Sequence, residues 1–359
     1  MDTPYGAGHV LTHTTGIWDE FRHARLFVTG GTGFIGKWLL ESFLAANDAC
    51  DLQARVCVLS RDPARFRAEM PGLSAHAAIE FVAGDVRSFE FPSGTFTHIV
   101  HGATDIANPA LPLDTFDVTV GGTRRVLDFT RACGAKKLLL ISSGAVYGRQ
   151  PPEISHIGEA YAGAPSILST ASAYGEGKRV SEWLSVVYGQ SGGLQVRIAR
   201  CFAFVGPHLP LDKHFAIGNF IRDVLTGQDI TIGGDGTPLR SYLHAADLAA
   251  WLWTIMARGA PSTAYNVGSD QPISIAELAE LVARLAATGR RINMAQAPQS
   301  GAAPERYVPS IDKARRELGL DVWIPLEAAI LDTLFAYRGE PRPFRNAPKS
   351  RNAEAIWKN

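Results

Sequence analysis

A glycine-rich turn after the first predicted strand constrains the fold of this chain more than any other feature. The apolar run at 26–29 leads directly into Gly30-Gly31-Thr32-Gly33-Phe34-Ile35-Gly36, and the residues that follow have helical spacing. Such glycines allow a tight turn, close backbone approach to a pyrophosphate and close packing of helix on strand. The unpaired N–H groups of the helix N-terminus favour an anion. The motif predicts a pyrophosphate site at Gly30, Thr32, Gly33, Phe34, Ile35 and Gly36, the alternative being a glycine-rich turn without a ligand.

Short apolar runs alternate with longer amphipathic stretches through the first two hundred residues. The runs lie at 26–29, 56–59, 79–82, 99–101, 138–141 and 196–199. Strands that alternate with helices predict an α/β fold with a Rossmann-type doubly wound parallel sheet. Beyond about residue 203 this rhythm loosens into loops with separate helices, predicted at 215–226 and 274–286. We therefore expect a smaller C-terminal substrate domain, interleaved with the first because an apolar pattern returns at 242–254.

The predicted boundaries follow from this change of pattern. The NAD(P)-binding Rossmann domain is expected to span 24–203, with 241–268 returning to it, and the substrate domain to comprise 204–240 and 269–337. Residues 1–23 show no clear period, and residues 338–359 are rich in Arg, Pro, Asn and Lys. Both are predicted to be terminal tails, packed on the surface or frayed.

Composition excludes several classes of protein. Lys plus Arg and Asp plus Glu both total 35, so no global field steers the chain toward nucleic acid or an acidic membrane. The four cysteines show neither a CxxC pair nor a Cys/His cluster, which favours a reduced protein without a metal site. No apolar run approaches the roughly 20 residues of a membrane helix, and residues 1–23 lack the apolar core of a signal peptide. We expect a cytoplasmic protein with no membrane partner.

The end of the second predicted strand bears on the choice between NAD and NADP. Folds that prefer NAD place an acid there to bind the ribose hydroxyls, but this position is Ser60. Arg61 could pair with a 2′-phosphate, whereas Asp62 could take the hydroxyl role in another register. NADP is therefore slightly favoured. After the third strand, Asp85 and Val86 are expected beside the adenine, with a helix-capping role for Asp85 as the alternative.

Tyr174 and Lys178 lie four residues apart in a helix predicted to begin near Ser172, so they share one face. A nearby ammonium favours the phenolate and lowers the pKa of a tyrosine from about 10, which suits proton exchange with a substrate hydroxyl or carbonyl. Upstream, a buried strand is predicted to end at Ser142-Ser143, on the sheet edge where ligands bind in open α/β folds. An ordinary amphipathic face and turn-capping serines are the alternatives.

Together, the glycine-rich turn, Ser143 and the Tyr174/Lys178 pair resemble the extended short-chain dehydrogenase/reductase family of nucleotide-sugar epimerases, dehydratases and reductases, over roughly residues 25–335. The resemblance implies that Ser143 hydrogen-bonds the sugar oxygen that is oxidised or reduced. It makes Tyr174 the acid/base, and it gives Lys178 two roles, lowering the tyrosine pKa and binding the nicotinamide ribose.

The same resemblance extends to further binding residues. The stretch that contains His101 and Ala103 is similar to the family's fourth strand, which runs beside the cofactor. Residues 231–247 are similar to a family segment whose arginine contacts the substrate diphosphate, which implies this role for Arg240. Arg306 falls where a further substrate contact is expected.

Three departures from the family bear on the reaction. Gly144 and Ala145 stand where sugar-nucleotide 4,6-dehydratases often carry an acidic pair, which counts against a dehydratase that uses it. Ala203 stands where many members have an asparagine that contacts the substrate, so the diphosphate must be held differently. Thr119 replaces an asparagine that is common beside the catalytic centre.

The expected function is an NAD(P)-dependent oxidoreductase that acts on a nucleotide-diphosphate sugar as a 4-ketoreductase or epimerase. One alternative is a 4,6-dehydratase that uses another acid such as Asp105. A non-catalytic cofactor-binding scaffold is a second alternative, and nucleic-acid binding has no support.

The resemblance also implies a homodimer, formed by helices predicted at about 114–133 and 173–189. These helices carry more apolar residues than one sheet-facing stripe requires. The residues are Phe116, Val120, Val126, Leu127, Phe129, Val180, Trp183, Leu184 and Val187. The alternative is that all of them face the sheet of their own monomer.

Overall fold

The computed structural model describes residues 5–104, 111–213, 215–287, 289–297, 301 and 303–339. The predicted C-terminal tail therefore lies outside the described residues from position 340 onward, as does Asp105.

A seven-stranded parallel sheet forms the centre of the molecule. Its strands, in spatial order, are β3 (Ile79–Ala83), β2 (Arg55–Ser60), β1 (Arg25–Thr29), β4 (His98–His101), β5 (Lys137–Ser143), β6 (Gln195–Cys201) and β11 (Thr263–Val267). The strand order reverses direction between β1 and β4, and a crevice opens at such a point in doubly wound sheets. The predicted Rossmann-type sheet is confirmed.

Helices cover both faces of this sheet. On one face lie α2 (Phe34–Ala49) and α8 (Ala245–Arg258), and on the other lie α5 (Pro112–Ala132) and α6 (Ala173–Gly192). Two short helices, α3 (Pro63–Glu69) and α4 (Pro71–Ser74), follow β2. Successive side chains of a strand point to opposite faces, so Leu26 and Val28 of β1 enter one core and Phe27 enters the other. Burial on both faces explains why the strands have continuous apolar runs.

The C-terminal half adds a smaller layer of helices and short strands beside the carboxyl ends of the central strands. Its helices are α7 (Ala216–Leu225), α9 (Ile275–Ala286), α10 (Asp312–Leu318) and α11 (Leu326–Arg338). Its strands are β7 (Phe204–Val205), β8 (Ile230–Ile232), β9 (Leu239–Arg240), β10 (Leu243–His244), β12 (Ile273–Ser274), β13 (Ile292–Met294) and β14 (Arg306–Tyr307). The chain returns to the central sheet at β11, between β10 and β12. The exact domain boundaries stay a prediction.

Residues 5–21 pack into the core, so the predicted surface tail is corrected for this segment. Here α1 (Ala7–His13) and a 3-10 helix at Trp18–Phe21 lie against the layer of α2 and α8. Val10 and Phe21 are fully buried, and the ring of Phe21 meets that of Trp253 edge to face at 5.2 Å between centroids. A few widely spaced apolar side chains, such as Val10, Ile17 and Phe21, provide this burial, which is why the sequence of the segment shows no helical or strand period.

Candidate active site

A cleft of about 780 Å³ opens at the carboxyl ends of the central strands. One wall comes from the glycine-rich turn and the ends of β2, β4 and β5, and the other comes from the smaller layer. All but two of the predicted site residues line it: Gly30, Thr32, Gly33, Phe34, Ile35, Gly36, Ser60, Arg61, Asp85, Val86, Ala103, Ser143, Tyr174, Lys178 and Arg240. His101 and Arg306 are not among the lining residues.

The glycine-rich turn brings three stretches of backbone into contact. Gly30 has a positive φ of 76°, and a Cβ atom there would lie 2.6 Å from the carbonyl carbon of Gly102. A Cβ atom on Gly36 would lie 2.3 Å from the carbonyl oxygen of Gly30. Gly33, the N-cap of α2, supplies no side-chain oxygen to the first N–H groups of the helix. These groups are therefore left for an anion, and the turn fits a pyrophosphate.

The end of β2 offers the cleft a hydroxyl and a guanidinium. The Ser60 hydroxyl accepts a hydrogen bond from the Asp62 backbone at 3.2 Å, and Asp62 in turn accepts from the Arg65 N–H at 2.9 Å as the N-cap of α3. Asp62 is thus occupied as a helix cap and does not line the cleft. Arg61 does line it, on the same side as Asp85.

Asp85 forms a two-point ion pair with Arg87. The Nε and Nη2 atoms of Arg87 donate to the two carboxylate oxygens at 2.9 and 3.0 Å, and its Nη1 donates to Asp114 at 2.8 Å. These bonds from Arg87 lower the pKa of Asp85, and the charge of Arg61 adds a smaller contribution in the same direction. Asp85 is therefore a fixed negative charge at the cofactor end of the cleft.

His101 lies behind the cleft, which corrects its predicted place beside the cofactor. The ring is bonded at Nδ1 to the Thr29 hydroxyl, 2.7 Å away, and at Nε2 to the Thr123 hydroxyl, 3.0 Å away. Burial lowers the pKa of His101 to about 3, so the ring is neutral. It ties β1 and β4 to α5, while Ala103 continues into the cleft and donates its N–H to Thr29 at 3.1 Å.

Ser143, Tyr174 and Lys178 meet at the inner end of the cleft. Lys178 is 3% exposed, and its ammonium donates to the carbonyl oxygen of Ile141 at 2.9 Å. The Lys178 Nζ atom lies 5.8 Å from the centroid of the Tyr174 ring. The Ser143 hydroxyl lies beside the Tyr174 phenol and acts to lower its pKa. The strand end and the first two turns of α6 therefore bring together the three residues predicted to be catalytic.

The electrostatics of this group differ from the expectation. Burial raises the pKa of Tyr174 to about 12 and outweighs the opposite effect of Ser143. Burial also lowers the pKa of Lys178 to about 8. The ammonium is directed toward the carbonyl of Ile141, and desolvation of both groups is the larger effect. The chain alone therefore does not lower the tyrosine pKa, and the predicted activation needs further positive charge beside the phenol.

Tyr307 also belongs to the site but was not predicted from the sequence. It stands opposite Arg240 in the pairing of β14 with β9, and its hydroxyl would lie 2.7 Å from a Cβ atom on Gly144. Burial raises the pKa of Tyr307, and the Ser143 hydroxyl acts to lower it. The nearest sequence sign was the small residue at Gly144, which leaves room for a ring, but its partner lies more than 160 residues away.

Arg240 and Arg306 are separated by the strand alternation. Arg240 lines the cleft, donates to the carbonyl of Leu239 at 2.9 Å and has the Glu305 carboxylate 3.4 Å away. Arg306 precedes the cleft-lining Tyr307 on β14, and neighbouring residues of a strand face opposite ways. The structure therefore does not bring the Arg306 side chain to the cleft.

A buried ion pair holds the end of β5 against α6. The Ser142 hydroxyl donates to Glu182 at 2.5 Å, and Glu182 accepts from Arg200 at 2.8 Å. Arg200 also donates to the Tyr147 hydroxyl at 2.9 Å. Since Glu182 lies on the same helix as Tyr174 and Lys178, this network fixes β5 relative to that helix. No sequence motif had indicated it.

Among the described residues that line the cleft, Asp85 is the only one with a carboxyl group. It lies at the cofactor end, away from Ser143. In the described ranges no group of side chains is arranged to hold a metal ion, and no helix there is long and apolar enough to cross a membrane.

Comparisons with known proteins agree with this geometry. The model of the NAD dependent epimerase/dehydratase family matches residues 26–268. A UDP-glucuronic acid decarboxylase of Arabidopsis thaliana is 30% identical over 85% of this chain and 86% of its own length. A dTDP-glucose 4,6-dehydratase of Streptomyces venezuelae, solved with NAD bound, superposes with a TM-score of 0.75 at 26% identity and covers 88% of this chain and 97% of its own. A UDP-glucuronic acid 4-epimerase of Bacillus cereus, solved with UDP-glucuronic acid and NAD, has the same fold, with a TM-score of 0.75 at 20% identity over 88% of this chain and 99% of its own.

The buried ammonium of Lys178 should make stability depend on pH. Because its pKa falls from 10.5 to about 8 on folding, the cofactor-free protein is destabilised below pH 8, and this effect fades as pH rises toward 10.5. The Lys178→Met variant should be more stable than the parent by up to about 3 kcal/mol near pH 7, and the gap should narrow above pH 8. Urea unfolding across this range measures it, with the exposed Lys136→Met as control. A gap that is constant with pH would contradict the assignment.

Proposed function

Because the chain belongs to the NAD dependent epimerase/dehydratase family, we propose that it moves a hydride to or from a carbon of a nucleotide-diphosphate sugar, as a 4-epimerase or 4-ketoreductase. The observation that carries this proposal is the meeting of Ser143, Tyr174 and Lys178 at a cleft whose described lining has no carboxylate beside them. Hydride transfer at a hydroxyl-bearing carbon needs one proton acceptor, whereas elimination of water needs a further acid and base.

Each residue has a distinct task in this proposal. The turn at 30–36 holds the pyrophosphate, Lys178 binds the ribose, and Arg240 binds the substrate diphosphate. Ser143 orients the sugar oxygen, and Tyr174 takes its proton during oxidation and returns one during reduction. A bound oxidised nicotinamide supplies both the hydride acceptor and a positive charge. That charge is the one that Tyr174 lacks in the chain alone, where burial holds its pKa at about 12.

A second candidate reaction is decarboxylation. The curated relatives include UDP-glucuronic acid decarboxylases. Oxidation at C4 of a uronate produces a ketone two bonds from the carboxylate, and such an acid loses carbon dioxide without a further enzymic base. The electron pair left behind forms an enolate, which takes a proton from water at C5, and the ketone is then reduced at C4 by return of the hydride and of the proton held by Tyr174. Ser143, Tyr174 and Lys178 would therefore suffice for decarboxylation as well, and the identity of the product separates the two reactions.

The two alternatives from the sequence are less well supported. A 4,6-dehydratase would depend on Asp105, which lies outside the described residues. A non-catalytic scaffold would have no use for Ser143, Tyr174 and Lys178 side by side at the cleft.

We also propose a cytoplasmic location. All four cysteines lie in the described part of the chain and are free, and Cys57, Cys133 and Cys201 are buried. Free buried thiols suit a reducing compartment.

Removal of the Tyr174 hydroxyl tests the proton step. The Tyr174→Phe variant should lower kcat by about 10² to 10⁴-fold and leave cofactor affinity nearly unchanged, because the hydroxyl exchanges the proton while the ring stays in place. Product formation from nucleotide sugars, followed by NMR, measures the rate, and calorimetry measures cofactor binding. Tyr161→Phe, a tyrosine outside the cleft, is the control. Unchanged turnover in Tyr174→Phe would rule out this assignment.

Arg61 is proposed to favour NADP. The capping role of Asp62 leaves the end of β2 with Ser60 and Arg61 toward the cleft, and a guanidinium matches a phosphate well. The family name and the relatives solved with NAD bound support NAD instead, so the two cofactors must be compared directly.

Arg61→Ala should weaken NADP binding about tenfold more than NAD binding, with the exposed Arg65→Ala as control. Calorimetric titration with both cofactors measures this. Tighter binding of NAD than of NADP by the parent protein would reject the proposal.

We propose a homodimer formed through α5 and α6, but fewer apolar residues are exposed for this interface than the sequence predicted. Val126, Leu127, Phe129 and Leu184 belong to the core of the monomer, as the alternative interpretation held for them. On α6, however, Trp183 is 63% exposed and Val187 is 38% exposed. A large aromatic side chain on a helix surface suits a symmetric interface between two copies.

Trp183→Glu should convert the proposed dimer into a monomer, because a carboxylate would be buried at the twofold interface without a partner. Light scattering at micromolar concentration gives the mass of the parent and the variant, and the exposed Met294→Glu on β13 is the control. A parent mass near the 38.7 kDa of one chain would refute the dimer.

A further inference from the structure

The wall of the cleft around the reacting group is apolar. We define the sugar wall as Ala145, Cys201, Phe202, Ala203 and Tyr307, all of which line the cleft. Cys201 is the register partner of Ser143, and the Phe202 ring would lie 2.8 Å from a Cβ atom on Gly144. The Phe202 and Tyr307 rings pack with centroids 4.7 Å apart. The sugar wall therefore surrounds the point where Ser143 and Tyr174 meet the substrate.

Two hydroxyl groups beside Ser143 already have a task in the proposed reaction. The hydroxyls of Tyr174 and Tyr307 both lie beside Ser143, where the sugar oxygen that reacts must bind. The remaining polar atom of the sugar wall is the thiol of Cys201, which is a weak donor and acceptor. Burial raises its pKa to about 12, so it stays neutral. The wall thus offers little to a second hydroxyl group and nothing to a charge.

The cations of the described cleft lining are Arg61, Lys178 and Arg240. Arg61 lies at the end of β2 with Asp85, and the Lys178 ammonium is directed to the carbonyl of Ile141. Arg240 shares its charge with Glu305 and has the diphosphate to neutralise. The segment 105–110 contains no Lys or Arg in its sequence. Among the described lining residues, a carboxylate on the sugar would therefore be buried without a cation of its own, which is strongly unfavourable.

We propose that the sugar wall selects a 6-deoxyhexose, in which the carbon next to the reacting C4 carries a methyl group, and rejects a uronate. This inference rests on the proposed function and adds the substrate class to it. A methyl group gains from burial against Phe202 and Ala203, a hydroxymethyl group loses its hydrogen bonds to water, and a carboxylate loses its hydration as well. The chain would then differ in substrate from the decarboxylases that it resembles.

A matched series of substrates tests the proposal. The unmodified protein is given 6-deoxyglucose, glucose and glucuronic acid as UDP sugars and as dTDP sugars, with NAD and with NADP. Reduced cofactor is followed by absorbance, and products are followed by NMR. We expect kcat/KM for the 6-deoxy sugar to exceed that for glucose by about tenfold and that for glucuronic acid by at least about a hundredfold.

The outcomes separate the two proposals. Equal or better turnover of glucuronic acid or glucose would overturn the inference and leave the proposed function standing. No reaction with any sugar in the series would overturn the inference, and it would also overturn the proposed function for UDP and dTDP sugars. A decarboxylated product from UDP-glucuronic acid at a rate above that of the 6-deoxy sugar would also overturn the inference, and it would establish the second candidate reaction.

A charge added to the sugar wall provides the second test. Ala203 is half-buried at the edge of the core and lines the cleft, so a longer side chain there has access to the cleft. Ala203→Arg should raise the ratio of kcat/KM for glucuronic acid to that for the 6-deoxy sugar by at least about tenfold, because it supplies the missing cation. Ala203→Leu is the matched control and should lower both values without raising the ratio. An unchanged ratio in an Ala203→Arg protein that still binds cofactor would contradict the inference.

Discussion

Close packing of backbone at the end of β1 is the constraint on which the rest of the site depends. Gly30 turns with a positive φ, Gly36 lies against the carbonyl of Gly30, and the backbone of Gly102 lies where a Cβ atom of Gly30 would be. A side chain on Gly36 would push α2 away from the end of β1, and one on Gly30 would collide with the backbone of Gly102. With glycine there, the helix begins directly above the strand end, and its unpaired N–H groups lie at the cleft. The shape of this end of the cleft therefore follows from the absence of side chains at Gly30 and Gly36.

The opposite end of the cleft depends on burial of charge. Lys178 is held inside the protein by one carbonyl, and the Glu182–Arg200 pair fixes the helix that carries it. Burial moves the pKa of Lys178 down and that of Tyr174 up, because the low-dielectric surroundings disfavour the charged form of each group. Burying these ionisable groups lowers the stability of the fold, and their pKa values will shift when a charged ligand binds beside them. The same desolvation that disfavours the ionised tyrosine strengthens any positive charge bound beside it.

The smaller layer supplies the second wall of the cleft, which the Rossmann sheet alone does not form. Its strand pairing places Arg240 and Tyr307 side by side over the carboxyl edge of the sheet, and Tyr307 closes on Gly144 and Phe202. The cleft therefore has one wall that suits a dinucleotide and another that is aromatic and uncharged near Ser143 and Tyr174. The N-terminal segment supports this arrangement from the far side, where His9 bonds to Asp247 at 2.7 Å and Asp247 also accepts the N–H of Trp323 at 3.0 Å.

The sequence by itself determined the Rossmann sheet, the glycine-rich turn and the pairing of Tyr174 with Lys178, because each depends on local spacing: apolar runs for strands, glycines for a turn, and four residues for one helix face. Only the tertiary structure decided which side chains reach the cleft. His101 bonds behind the sheet and Arg306 falls on the wrong face of β14, while Tyr307 enters the site from a distant strand. Residues 5–21 pack on the core through buried side chains that are irregularly spaced in the sequence. The raised pKa of Tyr174 also depends on the tertiary structure, because desolvation is set by the packing around a group and cannot be read from the local sequence.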